Sequence, residues 1–255
     1  MLQKIYFSPT GGTKKVVDLL AEAWDGDVRD LDCSLPDGDY AQTFGQDDIC
    51  IVGVPSYGGR VPAVALTHLA QLRGTNTPAV VVVAYGNRDY DDTLLELRDS
   101  LSQNGFSVLA AVAAVTQHSI LPQFGTGRPN EADQALLRGY GVAIRQALEH
   151  GGVSEVAVPG NTPYRDYGGL PLHPKASHGC TKCGACVPLC PVHAIPSDNP
   201  GTTDKARCIT CMRCVSVCPQ HARRLNPLLR FVAGKKMAKG CTAPKENKLF
   251  LGDVK

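Results

Sequence analysis

No apolar run in this 255-residue chain is long enough to cross a membrane. The longest, residues 108–115, has eight residues, whereas a spanning helix needs about twenty. It reads as a buried strand. The opening Met1-Leu2-Gln3-Lys4-Ile5 lacks the charged region and long apolar core of a secretion signal, so the expectation is a cytoplasmic protein with no membrane span. Two nucleotide fingerprints are also missing. Neither G-x-G-x-x-G nor G-x-x-x-x-G-K-[ST] occurs, which argues against a nicotinamide fingerprint and a Walker A loop. No catalytic triad or general-base constellation stands out. The single tryptophan, Trp24, falls in a helix-patterned stretch.

Cysteine is what the chain has in quantity. Eight of its eleven cysteines form two copies of one pattern. The first is Cys180-x2-Cys183-x2-Cys186-x3-Cys190-Pro191, and the second is Cys208-x2-Cys211-x2-Cys214-x3-Cys218-Pro219. A cubane cluster needs four soft thiolates around one small volume. A tight C-x2-C-x2-C turn presents three, and in the bacterial two-cluster run the fourth comes from the other copy. The spacing therefore predicts one [4Fe–4S] cluster on Cys180, Cys183, Cys186 and Cys218, and another on Cys208, Cys211, Cys214 and Cys190. Structural zinc would use paired C-x2-C units or Cys/His mixtures and does not call for the x3-Cys-Pro ending. Disulfides would need an oxidising compartment. Cys33, Cys50 and Cys241 read as ordinary reduced thiols.

The net charge of +2 hides an asymmetry. Residues 1–157 carry 11 Lys/Arg against 19 Asp/Glu, and residues 158–255 carry 15 against 5. Such a split implies two units with different surfaces. In the first unit, strand-like stretches at 2–7, 28–32, 49–55, 79–85 and 106–115 alternate with helix-like ones at 13–24, 61–72, 91–103 and 130–150. That alternation predicts an α/β fold with a doubly wound, five-stranded parallel sheet over residues 1–157. Residues 158–177 are rich in Gly and Pro and read as a linker. A small α+β cluster module spans 178–226. Residues 227–255 read as a basic C-terminal helix, opened by Asn226-Pro227, and a tail.

In an open α/β sheet, ligands bind beyond the carboxyl ends of the strands. The first such loop is Ser8-Pro9-Thr10-Gly11-Gly12-Thr13, whose hydroxyls and N–H groups at a helix start suit a phosphate, or serve only as a turn and cap. The next are Pro55-Ser56-Tyr57-Gly58-Gly59-Arg60-Val61 and Tyr85-Gly86-Asn87-Arg88-Asp89-Tyr90. Both pair tyrosines with glycines. A flat ring can stack there, or the tyrosines are incidental to surface turns. His118 follows the fifth strand and either reaches the cofactor edge or, the reading favoured for a lone loop histidine, is a surface residue.

These loops, with the Pro159-Gly160-Asn161-Thr162-Pro163-Tyr164 segment and the doubled cysteine run, resemble the flavodoxin–ferredoxin fusion family of anaerobic bacteria and archaea. The resemblance covers nearly the whole chain. It implies a flavodoxin-like domain with FMN, its phosphate on Ser8, Thr10, Gly11, Gly12 and Thr13. The flavin ring would lie between residues 55–61 and residues 85–90. The third-strand loop departs from free flavodoxins, which often cover the ring with tryptophan where this chain has Tyr57-Gly58-Gly59. Arg60 either faces the ring or points to solvent.

FMN beside two clusters implies electron transfer between a redox protein donor and acceptor. The alternative is an FMN-dependent reductase of a quinone, nitro compound or flavin, if the ring face is open. The basic segment with Arg223, Arg224, Arg230, Lys235, Lys236 and Lys239 holds only Phe231 as an aromatic, so it lacks the stacking platform of a nucleic-acid binder. A further expectation is electrostatic docking of the two halves, with Asp89, Asp91 and Asp92 facing the basic module.

Overall fold

The computed structural model describes residues 1–253. Its main sheet contains β1 (Leu2–Tyr6), β2 (Val28–Asp32), β3 (Ile49–Pro55), β4 (Thr77–Tyr85), β5 (Phe106–Val115) and β6 (Lys248–Leu251). They lie in the order β6-β5-β4-β3-β1-β2. The first five are parallel to their neighbours, and their order is that of a flavodoxin-like doubly wound sheet. β3, β4 and β5 are nearly continuous apolar runs because helices cover both faces.

Alternating strand residues feed two cores. Val80 and Val82 join Val16, Val17 and Leu20 of α1 (Gly12–Ala21) and Leu137 and Ile144 of α4 (Glu131–His150). Val81 and Val83 join Ala65 and Leu69 of α2 (Ala63–Leu69) and Leu94, Leu97 and Leu101 of α3 (Thr93–Gln103). α1 and α4 approach so closely that a Cβ on Gly141 would lie 2.3 Å from the Leu20 carbonyl oxygen. Only glycine fits there. α4 starts with a capping box, in which the Asn130 and Asp133 side chains each accept the other's backbone N–H.

The five parallel strands follow the expectation, and a sixth joins them. The tail runs β6 antiparallel along β5, pairing Lys248 with Ala113 and Leu251 with Ala110. Four residues flanked by polar ones give almost no periodicity, so the strand is set by contacts made elsewhere. Asn247 Oδ1 accepts from Val115 N–H at 2.8 Å, and Tyr140 Oη donates to the Asn247 carbonyl at 3.0 Å.

Between the sheet and its last strand lie the cysteine segment, α5 (Arg213–Ser216) and α6 (Pro227–Cys241). A two-residue antiparallel pairing of Lys175–Ala176 with Arg223–Arg224 brackets the cysteine segment. The segment is a structural repeat as well as a sequence repeat. Lys182 and Thr210 share left-handed φ values of 55 and 56°, and His193 and His221 both have φ 47°. The Ala194 N–H donates to Cys190 Sγ at 3.2 Å, and the Ala222 N–H donates to Cys218 Sγ at 3.3 Å.

The two halves meet through an apolar cluster and through two polar contacts, Arg213 with Asp32 at 3.7 Å and His193 with Asp37 at 3.2 Å. Ile120, Leu121 and Phe124, beyond β5, pack with Leu172, Met212, Leu225 and Cys241. The aspartates expected at this junction are engaged elsewhere. Asp91 pairs with Arg88 and Arg165, Asp92 accepts the N–H groups of Asn161 and Arg165, and Asp89 accepts those of Tyr90 and Asp91. No helix among the described residues is long and apolar enough to cross a membrane.

Candidate functional site

The loops leaving β1, β3, β4 and β5 converge at the carboxyl edge of the sheet and wall a cavity of about 160 Å³. The first loop contributes Ser8, Thr10, Gly12 and Thr13. The next contribute Pro55, Ser56, Tyr57 and Gly58, then Gly86, Arg88 and Asp89, and finally residues 116–121. Ser8 Oγ accepts the Lys14 N–H at 2.9 Å and so caps α1, leaving its hydroxyl hydrogen to donate. The unpaired first-turn N–H groups of α1 add further donors. That donor set fits a phosphate.

Tyr57 closes a tight turn with Arg60, the two backbones exchanging N–H···O bonds of 2.9 and 3.2 Å. Burial, together with Cys211 and Tyr167 beside it, pushes the Tyr57 phenol well above its ordinary value. Gly58 has φ 62°, and the Tyr167 ring occupies the space its Cβ would need, 2.1 Å away. The linker thereby lays an aromatic side chain over the third-strand loop.

Seven residues expected at the cofactor lie outside the cavity wall. Arg60 does not face it. Its Nε and Nη2 bind Glu96 at 2.9 and 2.6 Å, and its Nη1 donates to the Arg165 carbonyl. The Val61 N–H donates to the same Glu96 at 2.8 Å. Asn87 holds the tail, donating to the Cys241 and Ala243 carbonyls and accepting from Lys245 N–H. Tyr85 and Tyr90 are buried edge to face in the core, and Tyr85 Oη donates to the Glu246 carbonyl. Gly59 is packed by Asp91 and Arg165. Gly11 makes the left-handed turn before α1, with φ 86°.

His118 lines the cavity, the less favoured of its two sequence readings. Its Nδ1 accepts from the Ile120 and Leu121 N–H groups at 3.2 and 3.4 Å, which puts the proton on Nε2. Burial, with Arg88 nearby, pushes its pKa down to about 4, so the ring is a neutral donor at neutral pH.

The rest of the wall was not singled out in the sequence. Tyr167, Leu170 and Leu172 come from the linker, Ile209 and Thr210 from the cysteine segment, and Ala233 and Met237 from α6. Leu170 and Leu172, isolated among glycines and prolines, were the one apolar signal available.

Two smaller cavities of about 20 Å³ each are ringed by cysteines. Cys180, Cys183, Cys186 and Cys218 line the first. Cys190, Cys208, Cys211 and Cys214 line the second. Each ring takes one cysteine from the other copy of the repeat. Among the described residues, no group of three His, Cys, Asp or Glu is arranged to hold a single metal ion. The rings instead surround a volume. Burial pushes the Cys211 and Cys214 thiols up to about 12 and about 11, and bound iron reverses that balance by making a ligand thiol a thiolate. Ile209 and Thr210 line both the second ring and the large cavity.

Residues 179–223 match the family model described as a 4Fe-4S dicluster domain. The chain joins a flavodoxin-like fold to a 4Fe-4S dicluster domain. No curated protein matches the chain. Among solved structures, a flavodoxin from the domain Archaea is similar at 12% identity, covering 58% of this chain and 99% of that one, with a TM-score of 0.40. The Megasphaera elsdenii flavodoxin, in its two-electron reduced form, is similar at 18% identity over 56% of this chain and 99% of its own, TM-score 0.39. Rubredoxin oxygen:oxidoreductase from the anaerobe Desulfovibrio gigas is similar at 19% identity, covering 58% of this chain and 36% of that one, TM-score 0.42. The match to a 4Fe-4S dicluster domain supports a redox role.

Proposed function

We propose that the chain is an electron carrier with FMN in the large cavity and one [4Fe–4S] cluster in each cysteine ring. Cys180, Cys183, Cys186 and Cys218 ligate one cluster, and Cys190, Cys208, Cys211 and Cys214 ligate the other. The observation that carries this reading is the shared wall of Ile209 and Thr210, which lie in sequence between the ligands Cys208 and Cys211. The ring of Cys208 is therefore the inner one, against the flavin site. The ring of Cys180, where Cys183 is exposed, is the outer one and faces the redox partner. Clusters carry single electrons and flavin carries one or two, so the chain exchanges single electrons with pairs. Ser8, Thr10, Gly12, Thr13 and the Gly11 turn would hold the phosphate of FMN. Its ring lies by Ser56, Tyr57 and Gly58 on one side and Gly86, Arg88 and Asp89 on the other, with His118 in the wall. The linker and α6 contribute Tyr167, Leu170, Leu172, Ala233 and Met237 to the cavity wall.

Anaerobic redox titration followed by absorbance and EPR tests the proposal. Expected are one FMN, about eight irons and about eight sulfides per chain. FAD, or four irons, would overturn it. Cys218→Ala should remove the outer cluster and spare the inner one; the reverse loss would refute the crossed ligand sets.

Thr10→Asp tests the phosphate loop. Unit charges about 4 Å apart near a protein surface repel by about 4 kcal/mol, reduced by screening at an exposed position. FMN affinity should fall by about tenfold to a hundredfold, read by fluorescence titration. Unchanged affinity would move the phosphate elsewhere.

A further inference from the structure

A buried guanidinium stands beside the outer cysteine ring, and the internal repeat marks it as an addition to the ring-building pattern. The two copies keep a constant offset: Cys190-Pro191-Val192-His193-Ala194 corresponds to Cys218-Pro219-Gln220-His221-Ala222. They differ at Val192 and Gln220, and again at the position after the shared alanine. The first copy has Ile195, buried with Cys190 and Ala194. The second has Arg223. By sequence Arg223 reads as part of a basic surface stretch, yet it is 2% exposed.

Arg223 Nη1 donates to the Pro200 carbonyl at 2.6 Å and lies 3.9 Å from Cys186 Sγ. Its Nη2 donates to the Thr202 carbonyl at 3.1 Å, the Pro174 carbonyl at 3.4 Å, and Thr203 Oγ1. These acceptors are carbonyl, hydroxyl and sulfur atoms, with no carboxylate among them. Nε is buried with no acceptor, and the residue forms part of the outer ring's wall. A buried cation lacking an opposite charge is costly. Arg223 lies in the wall of the outer ring with Cys180, Cys183, Cys186 and Cys218.

We infer that Arg223 is the counter-charge of the outer cluster and raises its reduction potential. The inference rests on the reading that both rings carry clusters. Cluster potentials depend on net charge and on hydrogen bonds to the sulfurs. Each reduction adds one negative charge, and a fixed cation in a poorly screened site favours the reduced form. The outer cluster also has the Cys186 contact and the free Nε donor in its wall. An uphill bias at the outer cluster would hold an incoming electron there until the flavin accepts it.

The test is EPR-monitored titration of Arg223→Met and Arg223→Lys, each checked first for iron and sulfide. Arg223→Met should shift the outer midpoint to a more negative value by at least about tenfold in its reduction equilibrium, or 59 mV for one electron, and the inner midpoint by less. Arg223→Lys keeps the charge and loses the fork, so its midpoints should stay close to wild type. If Arg223 is only a clamp on the segment around residues 200–203, both variants lose stability together and retained clusters keep their wild-type potentials, which would overturn the inference. Should Arg223→Met fail to hold clusters, pulsed EPR of wild-type protein carrying ¹⁵N-arginine decides. A ¹⁵N coupling to the reduced outer cluster that disappears in Arg223→Lys supports the inference, and no such coupling refutes it. A wild-type protein without two clusters would instead sink the electron-carrier reading.

Discussion

Cys211→Ala is expected to cut the flavin off from the outer cluster while leaving both in place. Cys211 is 8% exposed, and burial holds its thiol up at about 12, so the site has no reason to carry a thiolate except bound iron. Without that ligand the inner cluster should be lost, and iron should fall from about eight to about four per chain. The outer ring shares no ligand with Cys211 and should still give its EPR signal on reduction. FMN should still bind, because the phosphate loop and the strand-end loops are untouched. In the intact chain, a one-electron donor that reduces the outer cluster should bleach the flavin in the same stopped-flow trace. In the variant the cluster should reduce at its usual rate while the flavin lags far behind. Flavin bleaching at the wild-type rate would mean that the donor reaches the flavin directly and that the shared wall of Ile209 and Thr210 is not the route.

The cysteine rings were the most legible part of the sequence, because ligand spacing is itself geometry. Two C-x2-C-x2-C-x3-C-P runs predict crossed sets of four, and the two cysteine-lined cavities have the same membership. The parallel sheet was legible for a related reason: strands buried on both faces must be apolar throughout. The contacts that join the halves were much less legible. A charge count over 157 residues says nothing about local pairing, and Asp91 and Asp92 turn out to hold the linker through Arg165 and Asn161. The junction is built from Ile120, Leu121, Phe124, Leu172 and Met212, scattered through loops where no period betrays them. The loop after β4 misleads in a similar way. Asn87 looked like a cofactor contact because of its place at a strand end, and it instead latches the returning tail. Tyrosine and arginine side chains reach far enough that position in a loop does not fix their direction: Arg60 turns away to Glu96, and Tyr57 stays in the wall.

The same returning tail makes Arg128 a position of large effect. Its guanidinium binds both oxygens of Asp133, each at 2.5 Å, and donates to the Lys245 carbonyl at 2.8 Å. The pair is largely buried, with side-chain exposures of 17% and 9%. Asp133 also accepts the Asn130 N–H and the Asn247 amide, both at 2.9 Å. Burial alone would raise this carboxyl; Arg128, Asn130 and Asn247 outweigh it and hold the group below its ordinary value. A carboxyl lowered by folding stabilises the fold above its unfolded value of about 4, and that contribution fades as pH falls through the folded value. Arg128→Ala strands the charge, and breaking a buried pair from one side costs about 3 kcal/mol or more. For a slope of about 3 kcal/mol per molar urea, the anaerobic unfolding midpoint should drop by about 1 M. With its main partner gone, burial is opposed only by Asn130 and Asn247, and the Asp133 carboxyl rises from its lowered value. The variant can then relieve its penalty by taking up a proton. The gap between wild type and Arg128→Ala should therefore be widest at neutral pH and narrow in mild acid, and Arg128→Ala combined with Asp133→Ala should recover part of the loss. A deficit of the same size at every pH would show that Arg128 acts only through packing and its bond to the tail.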